Sequence, residues 1–344
     1  MKTVIRYTKF ASNPRGDGGS KRSVQIEEFW RAKSVDFIEE KFILPKQYTK
    51  IQAISWVFRA IVFISRYVGW RKFVGLKEKI KAIFIYALRL PVIYDKYKGK
   101  DVIFIWENTQ DTPSLFMMKA AGAKIIAYPH NLESLVPTQV DVVSHKKAPY
   151  WLYEEIDRLK LCDEVYAISK EETWLLQLFG VNATYFPYYP PKAIEQELLV
   201  TKSKREAYQK NNKCEKSFLI LGSATNPPTR MGMQKLIDYF GSKDKLPYTM
   251  HVAGYQSETL NYVQNLKIEY HGTMHACDLD ELQIQVDGII INQPTTSGAL
   301  TRIVENRLAG IPIYANFGAA RDFYNLPDVY VYENFEELEL LLSK

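Results

Sequence analysis

The sequence predicts an α/β protein built from two doubly wound, Rossmann-like domains in tandem. Three observations carry that prediction. Short apolar runs alternate with helix-length segments along most of the chain. The runs are continuous rather than alternating, as in strands buried on both faces of a parallel sheet. The alternation lapses once, after Gly180, and then resumes. A length of 344 residues agrees with two domains at roughly 150 residues each. With 47% hydrophobic and 24% charged residues the composition is that of an ordinary globular protein and excludes disorder.

The elements follow in order. The first strand is "TVIRYTKF" (3–10), followed by the glycine-rich "SNPRGDGGSKRS" (12–23). From 101 onward "DVIFIW" (101–106), "AKIIAYP" (123–129) and "DEVYAIS" (163–169) read as strands separated by helical segments. Pro187, Pro190 and Pro191 and a lysine-rich stretch then mark a boundary, with a short helix at 193–210. The domains are thus 1–190 and 216–344 with a linker at 191–215, and the final helix could pack back on the first domain. In the second domain the strands are 217–223, 248–254, 268–272, 287–294, 311–317 and 328–333. Its helices fall at 230–241, 257–266, 277–286, 299–309 and 334–343. Ligands of such sheets sit beyond the carboxyl ends of the strands, so two facing domains place the site in the cleft between them.

Several classes drop out. Cys162, Cys214 and Cys277 are odd in number and far apart, which gives neither a zinc spacing nor a disulfide framework and points to a reducing compartment. The first residues lack the basic and apolar regions of a signal peptide. The most membrane-like window, 51–69, is interrupted by Arg59 and Arg66, each costing roughly 2.5 to 3.5 kcal/mol at a bilayer centre, so a spanning helix is not expected. Residues 41–100 carry fourteen lysines and arginines against Glu78 and Asp95, interleaved with aromatic residues. That pattern suits a surface resting on an anionic membrane at the inner face of the cell membrane; the competing reading is an apolar face packed on the sheet with solvated lysines. No nucleic-acid-binding fold is recognisable.

Four segments could hold a charged ligand. In "TTSGALTRIVENRLAGIP" (295–312), Thr295, Thr296, Ser297 and Gly298 fall in a strand-to-helix turn where backbone N–H groups and hydroxyls could hold a phosphate. Arg302 could add a charge-assisted bond and Glu305 could accept from ribose hydroxyls; the alternative is a capped surface helix with a solvated ion pair. In "LGSATNPPTRMG" (221–232), Gly222 permits close backbone approach, Ser223 ends the strand and Arg230 enters a helix. His130, in "YPHNLESLVP", follows a buried strand and could donate to a substrate, or be a structural histidine. Gly16, Gly18 and Gly19 could form a loop near a pyrophosphate or simply a mobile one. There is no catalytic triad, HExxH or Walker motif, which suits catalysis by positioning and electrostatics.

As an ordered set, "HNLES", "CDEVYAISKEE", "LILGSATNPPTRMGMQKLIDYF", "YHGTMH" and "SGALTRIVENRLAGIPIYAN" resemble retaining GT-B glycosyltransferases of the family 4 type over nearly the whole chain. The resemblance implies two Rossmann-like domains facing a central cleft, the second binding a nucleotide sugar. It implies Glu305 on the ribose, Arg302 facing the diphosphate, His130 near the reacting carbon, and the Gly18 and Gly19 loop near diphosphate and acceptor. Ser297 stands eight positions before Glu305, where the family has a second glutamate. "SATNPP" replaces the family's Arg and Lys after the first strand of the second domain, leaving the phosphates to Arg230 and Arg302.

The implied activity is metal-independent transfer of a sugar from a nucleotide diphosphate sugar, UDP-sugar favoured, to a hydroxyl of a glycan or lipid-linked glycan, as in bacterial surface-polysaccharide assembly. No cofactor is expected. The expected partners are donor, acceptor, an anionic membrane surface and a second copy of the chain, in the cytoplasm. The alternatives are a non-catalytic partner subunit docking through residues 50–90, and a nucleotide-sugar epimerase.

Overall fold

A computed structural model of the chain describes residues 2–42, 48–73, 75–107, 109–136, 150–211 and 215–344. Lys46 and residues 212–214 of the 191–215 segment, Cys214 among them, lie outside the described residues. The chain divides into two compact units, Met1–Pro187 and Tyr188–Lys344.

The first unit runs β1 (Thr3–Tyr7), α1 (Gly18–Arg31), β2 (Asp36–Glu39), α2 (Lys50–Phe63, prolonged by a π turn at Ile64–Val68), α3 (Gly75–Arg89) and α4 (Tyr94–Tyr97). It continues with β3 (Val102–Trp106), α5 (Thr112–Ala121), β4 (Lys124–Ala127), α6 (Tyr150–Leu159), β5 (Glu164–Ala167), α7 (Lys170–Leu178) and β6 (Ala183–Tyr185). All pairings are parallel in the order β2-β1-β3-β4-β5-β6. Every residue of β3 is buried, which is why its sequence is an unbroken apolar run. Successive side chains feed two cores: Phe104 and Ile125 pack with α2, α3 and α5 on one face, Ile103, Ile105 and Ile126 with Ile26 and Trp30 of α1 on the other. Helix starts follow local chemistry: Asp17 accepts from the Ser20 N–H at 2.8 Å, and Thr49 with Gln52 forms a reciprocal capping box.

The second unit runs α8 (Lys192–Asn211), β7 (Ser217–Leu221), α9 (Pro227–Gly241), β8 (Thr249–Ala253), β9 (Ile268–Gly272), α10 (Ala276–Gln285) and β10 (Gly288–Ile291). Then come α11 (Thr301–Leu308), β11 (Ile313–Asn316), α12 (Phe317–Ala320), β12 (Val329–Tyr332) and α13 (Phe335–Ser343). This sheet is also wholly parallel, ordered β12-β11-β10-β7-β8-β9. Its faces are filled by Phe218, Ile220, Met250 and Ile290 on one side and Leu219, Ile289, Ile291 and Ile313 on the other.

Three expectations change. The 191–215 segment is not merely connecting chain: α8 packs on the second unit, its buried Arg205 donating to the carbonyls of Gly310 and Gln283, both at 3.0 Å, and of Val286. Residues 257–266 form only a single turn at Ser257–Thr259, because side chains take over the backbone groups: Gln234 accepts from the Asn261 N–H and Tyr270 from the Val263 N–H. The final helix, given the option of packing elsewhere, has Leu338 and Leu342 of α13 buried in the second unit's core.

Candidate functional site

Each sheet has one topological switch point, where the chain leaves one strand and later returns on its other side. In the first sheet it lies between β1 and β3, in the second between β7 and β10. Open α/β sheets bind ligands outside the carboxyl ends of the strands at such points. The candidate residues gather there.

In the first unit His130 follows β4 and is buried, its Nε2 at 2.9 Å from Oε1 of Glu107, which stands one residue beyond β3. The Ser23 hydroxyl donates to the same oxygen. Arg6 of β1 lies 3.8 Å from the other Glu107 oxygen and pairs with Glu27 at 3.0 Å and Glu39 at 3.2 Å. Burial alone would raise the Glu107 carboxyl; the hydrogen bond and charge of His130, then Arg6 and Ser23, hold it below the ordinary glutamate value. The imidazole is thereby oriented by a buried carboxylate from one side and by Phe10, stacked at 4.2 Å between ring centroids, from the other. A Cβ on Gly19 would meet that Phe10 ring at 2.5 Å, so glycine here serves packing. Beside the glycine loop Ser12 accepts from Arg6 at 2.6 Å, and Gly18 and Gly19 themselves open α1. The "HNLES" segment is held from below, Glu172 accepting from the Leu132 N–H and Glu155 from the Glu133 and Ser134 N–H groups, each at 2.9 Å.

In the second unit the structure brings Gly222, Arg302 and Gln293 together. Arg302, from the first turn of α11, donates to the Leu221 carbonyl at 3.3 Å and to Gln293 Oε1 at 2.8 Å. A Cβ on Gly222 would meet the Arg302 Nη1 at 2.9 Å and also Thr229, so only glycine fits under the guanidinium. The Nε of Arg302 is enclosed and has no hydrogen-bond partner, and the side chain forms no ion pair among the described residues. Burial lowers its pKa to about 10. Glu305, one turn on, accepts from the Tyr188 hydroxyl at 2.6 Å.

The turn before α11 is longer than expected. β10 ends at Ile291 and the helix opens at Thr301, with Leu300 at its cap and no capping side chain. Thr295, Thr296, Ser297 and Gly298 therefore lie in a loop ahead of the helix and do not cap it. Gly298 has φ 77° and its carbonyl accepts from Arg321, while the Ser297 hydroxyl is buried without a partner. Two other candidates are already engaged. Arg230 donates twice to Thr259, to its hydroxyl and carbonyl, both at 2.6 Å, and Ser223 shares a hydrogen bond of 2.7 Å with Thr225.

Glu107, Gln293 and Tyr188 escaped the sequence reading. A polar residue directly after a buried strand, as in "DVIFIWE" and "GIIINQ", was the available signal for the first two.

No protein-family model and no curated protein matches the sequence. Solved structures are similar over the whole chain. The sucrose-phosphate synthase of Thermosynechococcus elongatus aligns with 100% of this chain and 89% of its own at a TM-score of 0.59 and 13% identity. HepE of Anabaena in complex with UDP-glucose aligns with 100% and 89% at 0.60 and 11%. The catalytic domain of starch synthase IV of Arabidopsis thaliana, bound to ADP and acarbose, aligns with 100% and 92% at 0.58 and 10%. With two parallel six-stranded sheets, the chain has the GT-B fold.

Proposed function

We propose that the protein is a glycosyltransferase that moves a sugar from a nucleotide diphosphate sugar, UDP-sugar favoured, to a hydroxyl of a glycan or lipid-linked glycan, with retention. The observation that carries this reading is Arg302: a guanidinium at the switch point of the second sheet, its Nε enclosed and its two hydrogen bonds made to neutral acceptors. Arg302 is half-buried, and taking a cation partly out of water without a counter-charge is costly. A diphosphate beside Gly222 would supply that charge, and a positioned guanidinium stabilises the charge that grows on the leaving diphosphate. Glu305 would accept from the ribose, and His130, held by Glu107, would meet the donor sugar. With the leaving diphosphate able to take the acceptor proton, the step uses no strong protein base and no metal. Relatives of the same fold solved with UDP-glucose and with ADP support a nucleotide ligand.

The test is binding and turnover with a panel of UDP-, GDP- and TDP-sugars. Transfer or slow hydrolysis is expected with a UDP-sugar. Arg302→Ala should weaken donor binding about ten- to a hundredfold, the worth of one charge-assisted hydrogen bond of roughly 1.5 to 3 kcal/mol, and Glu305→Ala somewhat less. No turnover with any donor would favour the non-catalytic partner reading; unchanged donor affinity in both variants would sink the site.

The acceptor reading rests on α2 and α3. Ile51, Ile54, Phe58 and Val62 are each more than half exposed and recur at i, i+3, i+7 and i+11; Leu76, Ile80 and Phe84 form an exposed stripe on α3. Lys77, Lys79 and Lys81 flank the α3 stripe. Residues Lys50–Val68 are long and apolar enough to cross a bilayer, with mean hydropathy 1.3. Yet Phe63, Ile64 and Val68 enter the core and Arg59 pairs with Asp95, so the helix would lie on an anionic surface rather than span it. Co-sedimentation with phosphatidylcholine vesicles should require added phosphatidylserine and be lost in Phe58→Ser/Val62→Ser/Phe84→Ser; failure of the wild type to sediment with anionic vesicles overturns this placement.

A further inference from the structure

His251 on β8 and Glu269 and His271 on β9 lie at one edge of the second sheet, away from its switch point in strand order. His251 and Glu269 are cross-strand partners in register. Glu269 and His271 are two residues apart, hence on the same face of β9. The register then shifts: Val252 pairs with Tyr270 but Ala253 with Gly272, leaving His271 as the extra residue of a β-bulge, and Gly272 takes φ +66° just after it. A bulge re-aims a side chain. Here it draws the His271 ring back toward His251.

The three donor atoms converge. His251 Nδ1 is 3.0 Å from His271 Nε2 and 3.3 Å from Glu269 Oε2, and His271 Nε2 is 3.9 Å from that same oxygen. Zinc bonds of about 2.0 to 2.2 Å set tetrahedral donors about 3.3 to 3.6 Å apart, so these separations bracket a common centre. Two imidazoles and one carboxylate are the donors that zinc and its first-row neighbours take. His251 is largely buried and Glu269 largely exposed, which leaves the fourth coordination position facing solvent.

We propose that His251, Glu269 and His271 form a zinc site with water as the fourth ligand, clamping the edge strand β9 to β8. On binding, the proton between the two rings moves to the far nitrogen of the ring that carries it, and the carboxylate supplies one negative charge. A metal takes the imidazoles in their neutral form and the carboxylate ionised. This site stands apart from the donor site, and its test does not depend on transfer activity.

Tag-free, chelator-treated full-length protein is titrated with Co²⁺ alone and then with Zn²⁺. About one equivalent of Co²⁺ should bind with visible d–d bands and no thiolate charge-transfer band, Zn²⁺ should displace it, and Zn²⁺ should raise Tm by mass action. His251→Gln/His271→Gln should abolish all three signals while the circular dichroism stays native. Glu269 is exposed, so Glu269→Gln keeps the fold, and it should weaken Zn²⁺ binding at least about tenfold, since loss of even an outer-sphere partner costs that much. Absence of Co²⁺ bands and of a Zn²⁺-dependent Tm shift in the wild type, or their persistence in the double-histidine variant, overturns the proposal.

Discussion

Arg6 and Arg302 stand at the switch points of the two sheets, and each has an enclosed Nε without a partner. Their remaining surroundings differ in kind. Arg6 is met by the carboxylates of Glu27 and Glu39 and, at 3.8 Å, of Glu107, so its charge is neutralised inside the unit. Arg302 is met by a backbone carbonyl and a glutamine amide, both neutral. One arginine completes an internal network; the other carries a charge that nothing within the described residues balances. A half-buried cation without a counter-charge costs stability unless an anion arrives, and the proposed donor site rests on that difference.

The comparison breaks most sharply at Arg6. Arg6→Met removes the cation shared by Glu27, Glu39 and the buried Glu107 and leaves Glu107 to His130 and Ser23 alone, which should cost about 3 to 5 kcal/mol. Denaturant unfolding of the variant measures it. A loss below about 1 kcal/mol would mean that the Arg6 network is no more settled than the Arg302 site.

Glu107 gives a smaller effect with a pH signature. Its folded pKa lies below the ordinary glutamate value of 4.5, so the ionised form contributes stability that is complete above that value and lost as pH falls through the folded pKa. Glu107→Gln should therefore destabilise the protein at neutral pH, and the gap to wild type should narrow on acidification below 4.5. Glu133 and Glu155, whose carboxyls burial pushes up, titrate in the opposite sense in both proteins and cancel from the difference. A gap that is constant with pH would remove the charge from the account of how His130 is held.

How much of this was legible beforehand follows the range of the interactions. Strands such as β3 and β10 announced themselves because burial on both faces demands continuous apolar runs. The edge strands β2 and β6 did not, since a short strand at a sheet margin buries little: only exposed or half-buried residues in "DFIE", and three residues in "ATY". "SETLNYVQNL" has helix-like spacing, yet Leu266 is fully exposed and partners from Gln234 and Tyr270 replace the helical ladder. Arg302, Glu305 and His130 could be named from residue type and position after a strand. Their distinguishing features could not, because the Glu107 beneath His130 and the missing carboxylate beside Arg302 are relations between strand ends far apart in sequence. The bulge that turns His271 toward His251 is equally invisible, since "IEYHG" looks like any edge strand.

The smallest expected stability change is the most discriminating. Arg302→Met keeps only the apolar stem of the side chain, removes the unbalanced charge, and deletes hydrogen bonds to two neutral acceptors, one of which, Gln293, retains a contact with Thr229 at 3.3 Å. The recovered desolvation and the lost hydrogen bonds, each worth roughly 1 kcal/mol, oppose one another. In the absence of ligand the variant should unfold within about 1 kcal/mol of wild type, or be slightly more stable, while a saturating UDP-sugar raises the Tm of wild type and not of the variant. A residue kept for the fold would behave in the reverse way, as Arg6 should. Were Arg302→Met to lose as much stability as Arg6→Met with no ligand present, the guanidinium would belong to the scaffold, and the proposed nucleotide site would lose its anchor.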